Sequence, residues 1–116
     1  DAGDYVLKEV SILLKGLVRA SDVICRYGGE EMIILIPNCD EIQAEIIANY
    51  IRARCQDLKP IYQGRHLGEI TVSIGVATFP KHARTETALL KSADDALYRA
   101  KVEGRNRVLV ALELID

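Results

Sequence analysis

Apolar residues recur every three or four positions over residues 3–20, where Val6, Leu7, Val10, Leu13, Leu14, Leu17 and Val18 form one broad stripe. That spacing predicts an amphipathic helix. The period then changes. Residues 22–27 and 31–36 are short β-prone runs separated by only a few residues, with Gly28-Gly29 at the centre. Glycine supplies the positive φ that tight turns demand, so the pair predicts a hairpin. Pro37-Asn38-Cys39-Asp40 breaks the second run. Asp40 is placed to cap a helix over about 41–57, with Ile42, Ile46, Tyr50 and Ile51 expected on its inner face.

Residues 58–69 hold Pro60, Gly64 and Gly68 and read as loop with room for a short ribbon. Thr71 to Phe79 is rich in β-branched residues and reads as a strand ended by Pro80. Gly75 inside it predicts a bulge or a close backbone approach. A third helix is expected over about 86–103, with Leu89, Leu90, Ala93, Leu97 and Ala100 inward and Gly104 as its stop. Val108 to Leu112 makes a last strand. Helices that alternate with strands, one strand pair being a hairpin, predict an α+β fold: a mixed sheet with helices packed on it.

The chain's 116 residues fit a single domain. A net charge of -2 gives no basic coat for nucleic acid or an anionic membrane surface. The apolar run Met32 to Ile36 is far too short to span a bilayer. Cys25, Cys39 and Cys55 are odd in number and lack metal-ligand spacing, so reduced thiols and a cytoplasmic setting are expected. His66 and His82 have no ligand-spaced partners either.

The chemistry concentrates in Arg26-Tyr27-Gly28-Gly29-Glu30-Glu31-Met32. Two glycines bare the backbone to a ligand. Carboxylates beside such a turn suit magnesium, which takes carboxylate, water and phosphate oxygens rather than His or Cys. Adjacent strand residues point to opposite faces, so Glu30 and Glu31 are not equivalent ligands. A solvated polar hairpin tip is the other reading of the same residues.

This stretch resembles the signature of the GGDEF family, the diguanylate cyclase domains. Four further segments carry the resemblance, in order along the chain. They are Gly3-Asp4-x-x-Leu7, Arg19-Ala20-Ser21-Asp22, Thr71-Val-Ser-Ile-Gly-Val-Ala77, and Ala93-Asp94-x-Ala96-Leu97-Tyr98-x-Ala100-Lys101-x-x-Gly104-Arg105-Asn106-Arg107.

The resemblance implies a ferredoxin-like, palm-like sheet of the nucleotidyl cyclase type, and the joining of two GTP molecules into cyclic di-GMP and pyrophosphate. Two such domains would meet as a homodimer, with Mg2+ or Mn2+ ions clamping the attacking and leaving oxygens. Glu30 would be a metal ligand and Glu31 would hold the metal and substrate region. Gly28 and Gly29 would let the nucleotide lie on the hairpin, and Asp4 would accept from guanine's N–H groups. Lys101 and Arg105 would neutralise the triphosphate, Arg105 from the helix exit. Arg19 and Asp22 would bind the product at a separate inhibitory site.

Each residue also has a plainer reading. Asp4 could cap the first helix, Lys101 and Arg105 could complement a helix dipole, and Arg19 and Asp22 could be a surface ion pair. Asp94 and Asp95 read as a solvated face, and Tyr98 as packing. A sensor that binds GTP or cyclic di-GMP without turnover is the alternative function.

Two departures from the family stand out. Met32 replaces its usual phenylalanine, a modest change in packing. The family's domain also begins with a strand bearing a metal-binding aspartate, followed by a substrate-contacting lysine and asparagine, all ahead of the Gly-Asp helix start. The resemblance therefore implies that residues 1–116 are one GGDEF domain lacking its first strand and the start of its first helical region. It implies a chain inactive alone, within a protein that carries a sensory or receiver domain and could be membrane-anchored through another domain.

Overall fold

The structure, a computed structural model, describes residues 1–114. The chain divides into two compact units, Asp1–Asn38 with Cys55–Ile70, and Cys39–Arg54 with Thr71–Asp116. Helix α2 contributes to both.

The first unit opens with helix α1, Ala2–Leu17. Asp1 is its cap: the carboxylate accepts from the Asp4 N–H at 2.9 Å. None of the seven predicted apolar positions is exposed, and Val10 and Leu14 are buried. The helix ends earlier than residue 20 because Val18 is extended, φ -91° and ψ 156°. Strands β1, Val23–Gly28, and β2, Glu31–Leu35, then pair antiparallel as the expected hairpin. The loop after α2 holds the short ribbon β3, Ile61–Tyr62, with β4, Arg65–His66. Tyr62 meets Tyr5 of α1 with ring centroids 5.2 Å apart.

The second unit takes most of helix α2, Glu41–Asp57. Asp40 and Gln43 form a reciprocal cap at its start: Gln43 N–H donates to Asp40 Oδ1 at 2.8 Å, and Asp40 N–H to Gln43 Oε1 at 3.3 Å. The expected inner face of α2 is corrected by the structure. Ile51 is buried, but Ile42, Ile46 and Tyr50 are exposed. The covered stripe runs through Ala44, Ala48, Ile51 and Cys55. Small side chains let neighbouring backbone come close, and the helix is apolar on two sides, so periodicity alone does not choose between them.

Strand β5, Ile74–Val76, pairs parallel with β6, Val108–Val110. Both are shorter than predicted, since the ladder holds only three residue pairs. Helix α3, Glu86–Val102, packs on both strands. Thr85 caps it, its hydroxyl accepting from the Ala88 N–H at 3.1 Å. Ala96 and Ala100 are fully buried, whereas Leu90, expected inside, is 38% exposed. Gly75 meets the predicted close approach: a Cβ there would overlap the Ala93 carbonyl oxygen and the Leu97 amide nitrogen. The class is α+β, with both antiparallel and parallel pairing as expected. Among the described residues the strands form three separate two-stranded sheets rather than one continuous mixed sheet.

The second unit also holds a charged cluster. Lys81 bonds Glu41 and lies 3.2 Å from Glu113. Buried His82 accepts from the Thr78 N–H at Nδ1, 2.9 Å. Its Nε2 lies 3.6 Å from Glu41 Oε1. Hydrogen bonding to Lys81 holds the Glu41 carboxyl below its ordinary 4.5. Hydrogen bonds to Glu41 and Glu113 raise Lys81 above its ordinary 10.5. Glu41's contribution to stability is present above 4.5 and lost as pH falls through its folded value. Lys81's is present below 10.5 and lost as pH rises through its folded value. Melting temperature against pH should therefore fall on both flanks, and Lys81→Met should flatten both losses. An unchanged acid flank in that variant would remove the pair from the account.

Candidate functional site

The hairpin turn is irregular. Arg26 pairs with Met32, but Gly28 pairs with Glu31, so Tyr27 is the extra residue of a β-bulge. Gly29 and Glu30 remain as the two-residue connection. Gly29 has φ +50°, the left-handed conformation that favours glycine. Gly28 differs: it has no positive φ, and nothing lies within 4 Å of where its Cβ would stand. The fold itself does not require a glycine there. Glu30 is exposed, and Glu31 opens β2 half-buried.

The first unit also holds Asp4, at the start of α1, and Arg19 and Asp22, at the end of the hairpin away from the turn. Asp4 does not cap α1, since Asp1 does, and its carboxylate is exposed in the helix's first turn. Arg19 and Asp22 close a tight turn. The Asp22 carboxylate accepts from the Arg19 N–H at 2.8 Å and from its Nη2 at 3.3 Å. Arg19 Nη2 also donates to the Pro37 carbonyl at 2.9 Å. The Asp22 side chain is only 4% exposed and that of Arg19 57%, so Asp22 orients the arginine and the guanidinium is the accessible group.

In the second unit, Lys101 lies in the last turn of α3, and Arg105 follows the helix exit. The exit is a Schellman motif. Arg105 N–H donates to the Ala100 carbonyl at 2.9 Å and Gly104 N–H to that of Lys101 at 3.4 Å. Arg105 is thus off the helix, as expected, with φ +63°. Asp95 pairs with Lys91 at 3.3 Å, which bears out its solvated face. Tyr98, expected to pack, is instead 69% exposed, because the buried row of α3 runs through Ala96 and Ala100. A cavity of about 300 Å³ opens beside Phe79, Arg84, Thr85, Glu86 and Leu89, and no predicted site residue lines it.

The chain matches the family model described as diguanylate cyclase, GGDEF domain, over residues 1–107. The chain belongs to the GGDEF family. It is 41% identical over 110 residues to the response regulator PleD of Caulobacter vibrioides, covering 94% of this chain and 24% of that protein. It is 36% identical to diguanylate cyclase A of Treponema denticola, covering 95% of this chain and 29% of that one. The GGDEF domain of DgcB from Caulobacter crescentus, solved in complex with c-di-GMP, superposes with TM-score 0.86 at 29% identity, over 94% of this chain and 64% of that chain. The chain therefore spans about a quarter of the length of these curated GGDEF relatives.

Diguanylate cyclases depend on a metal ion, and the donor set here bears on how one would be held. Among the described residues, no group of three or more His, Cys, Asp or Glu side chains could hold a metal. An all-protein cage is thus not formed. One or two carboxylates with substrate phosphates and waters is how magnesium is usually bound, and an exposed Glu30 beside Glu31 fits that mode. No described helix is long and apolar enough to cross a membrane.

Proposed function

We propose that this chain is the diguanylate cyclase domain of its protein, condensing two GTP molecules into cyclic di-GMP. The observation that carries this reading is Gly28, a glycine in open space at a bulged turn, beside an exposed glutamate. A bare backbone of that kind is what a nucleotide lying against the hairpin needs. The likeness to diguanylate cyclase A and to the DgcB domain solved with c-di-GMP supports the substrate class.

In the proposed reaction, the 3′-hydroxyl of one GTP gives up its proton to solvent as its oxygen forms a bond to the α-phosphorus of the other. The bond to the bridging oxygen breaks, and pyrophosphate leaves with that electron pair. A second such step closes the ring, and two domains, each holding one GTP, face each other for it. Glu30 and Glu31 would hold Mg2+ or Mn2+, which when bound neutralises the attacking and leaving oxygens. Gly28 and Gly29 leave room for the nucleotide, and Asp4 accepts from guanine's N–H donors. Lys101 and Arg105 are the proposed contacts to phosphate.

The guanidinium of Arg19, held by Asp22 and the Pro37 carbonyl, is the proposed product site. Arg19→Ala is expected to raise the cyclic di-GMP concentration needed for half-inhibition by about tenfold or more. Inhibition curves scaled to each variant's uninhibited rate check this, and an unmoved curve takes Arg19 out of the site.

The DgcB GGDEF domain was solved holding c-di-GMP, and a second reading for this chain is therefore binding without turnover. Calorimetric titration of the full-length protein with GTP and cyclic di-GMP, run beside a turnover assay, separates the two. Binding of either ligand with no product formed would select the sensor. The response-regulator name of PleD supports a fused receiver or sensory domain as partner.

A further inference from the structure

We infer that Arg26 is a positioning residue that locks the Gly29–Glu30 peptide and so sets the direction in which the Glu30 carboxylate leaves the turn. Its part in turnover rests on the cyclase reading above. Its part in the turn does not.

The Arg26 side chain reaches along the hairpin and donates twice to one acceptor. Nε lies 2.9 Å and Nη2 2.7 Å from the Gly29 carbonyl oxygen. That carbonyl belongs to the central peptide of the two-residue connection, between partners Gly28 and Glu31. Tight turns of this length come as two forms that differ by a flip of the central peptide. In one form both central residues have positive φ. In the other only the first does. Here Gly29 has φ +50°, and Glu30 is not among the residues with positive φ. The turn is therefore in the second form.

A flip would carry the Gly29 oxygen away from the guanidinium and push Glu30 into the left-handed region. Glutamate disfavours that region, and both N–H bonds would be lost. The bulge at Tyr27 adds a residue next to the turn and loosens the ladder there, so the ladder alone does not fix the peptide. The arginine supplies the missing constraint, and it does so with a planar fork. Lysine carries the same charge but has only one nitrogen, so it cannot reproduce the pair of bonds. A carboxylate that must meet a metal and a phosphate loses effect when its backbone samples two orientations.

The test uses Arg26→Ala and Arg26→Lys in the full-length protein, with two readouts. Residual dipolar couplings of the isotope-labelled Glu30 amide report the peptide's orientation without any activity. Steady-state kinetics report turnover. Both variants are expected to change the coupling and to lower kcat by about tenfold or more, with KM for GTP moving less than about twofold. An unchanged coupling in Arg26→Ala overturns the clamp. A changed coupling with an unchanged kcat overturns its part in positioning. Full recovery by lysine would make charge, not the fork, the active feature and would overturn the proposal too. If the alanine variant does not fold, the lysine variant carries both readouts. If the wild-type protein turns over no GTP, the cyclase reading fails, while the coupling still decides the clamp.

Discussion

Glu30→Gln is expected to cut GTP turnover at least about a hundredfold, the scale of losing one preorganised charge-stabilising group. The substitution keeps the size of the side chain and removes only its charge. Glu30 is exposed at the connection between β1 and β2, so the hairpin should form without it. A large loss of kcat with an unchanged melting temperature would therefore report the site and not the fold. Glu31 should behave differently, since it opens β2 and pairs with Gly28. Its substitution is expected to touch the ladder as well as the chemistry. Turnover of Glu30→Gln close to wild type would take Glu30 out of the mechanism.

Gly75→Ala is expected to destabilise the protein by about 3 kcal/mol, the upper end of ordinary overpacking. The reason is what the new methyl would strike. Its neighbours are the Ala93 carbonyl oxygen and the Leu97 amide nitrogen and Cα, all backbone of α3. A flexible side chain could move aside, but a helix backbone moves only as a body. Strand β5 would have to retreat from α3, and the fully buried Ala96 shows how tightly that helix is packed. A fall in melting temperature of more than about 10 °C should follow. The same substitution at Gly28 meets open space and should leave melting nearly unchanged. Equal effects at the two positions would contradict the division between a glycine the fold needs and one it does not.

These two glycines also show how far the chain could be read before its structure was known. Gly75 was legible because a glycine inside a β-branched run has few explanations, and close approach was one of them. Asp40 was legible as a cap because its side chain acts on its own neighbours. The helix stop at Gly104 and the placement of Arg105 off the helix followed from local chemistry in the same way.

Long-range choices were less legible. Helix α2 is apolar on two sides, and which side is covered depends on what lies against it, so Ile42, Ile46 and Tyr50 were assigned to the wrong face. Strand lengths depended on partners: β5 ends where β6 ends, not where its own β-prone run does. Tyr98 gave an apolar signal and is exposed.

The five motif segments pointed to the candidate site residues, but not to how they are supported. Asp22 looked like an equal partner of Arg19 and is instead the buried group that aims it. Arg26 looked like part of a signature, and its fork on the Gly29 carbonyl appears only in three dimensions. The clue available was a long, forked side chain three residues before the turn peptide it grips.

The central claim is that the hairpin site serves condensation of GTP. The most direct measurement is the product formed when the full-length protein is incubated with GTP and magnesium. The account predicts cyclic di-GMP, with one pyrophosphate released for each GTP consumed. Folded protein that leaves GTP unconsumed, as a dimer and with magnesium or manganese present, would contradict it.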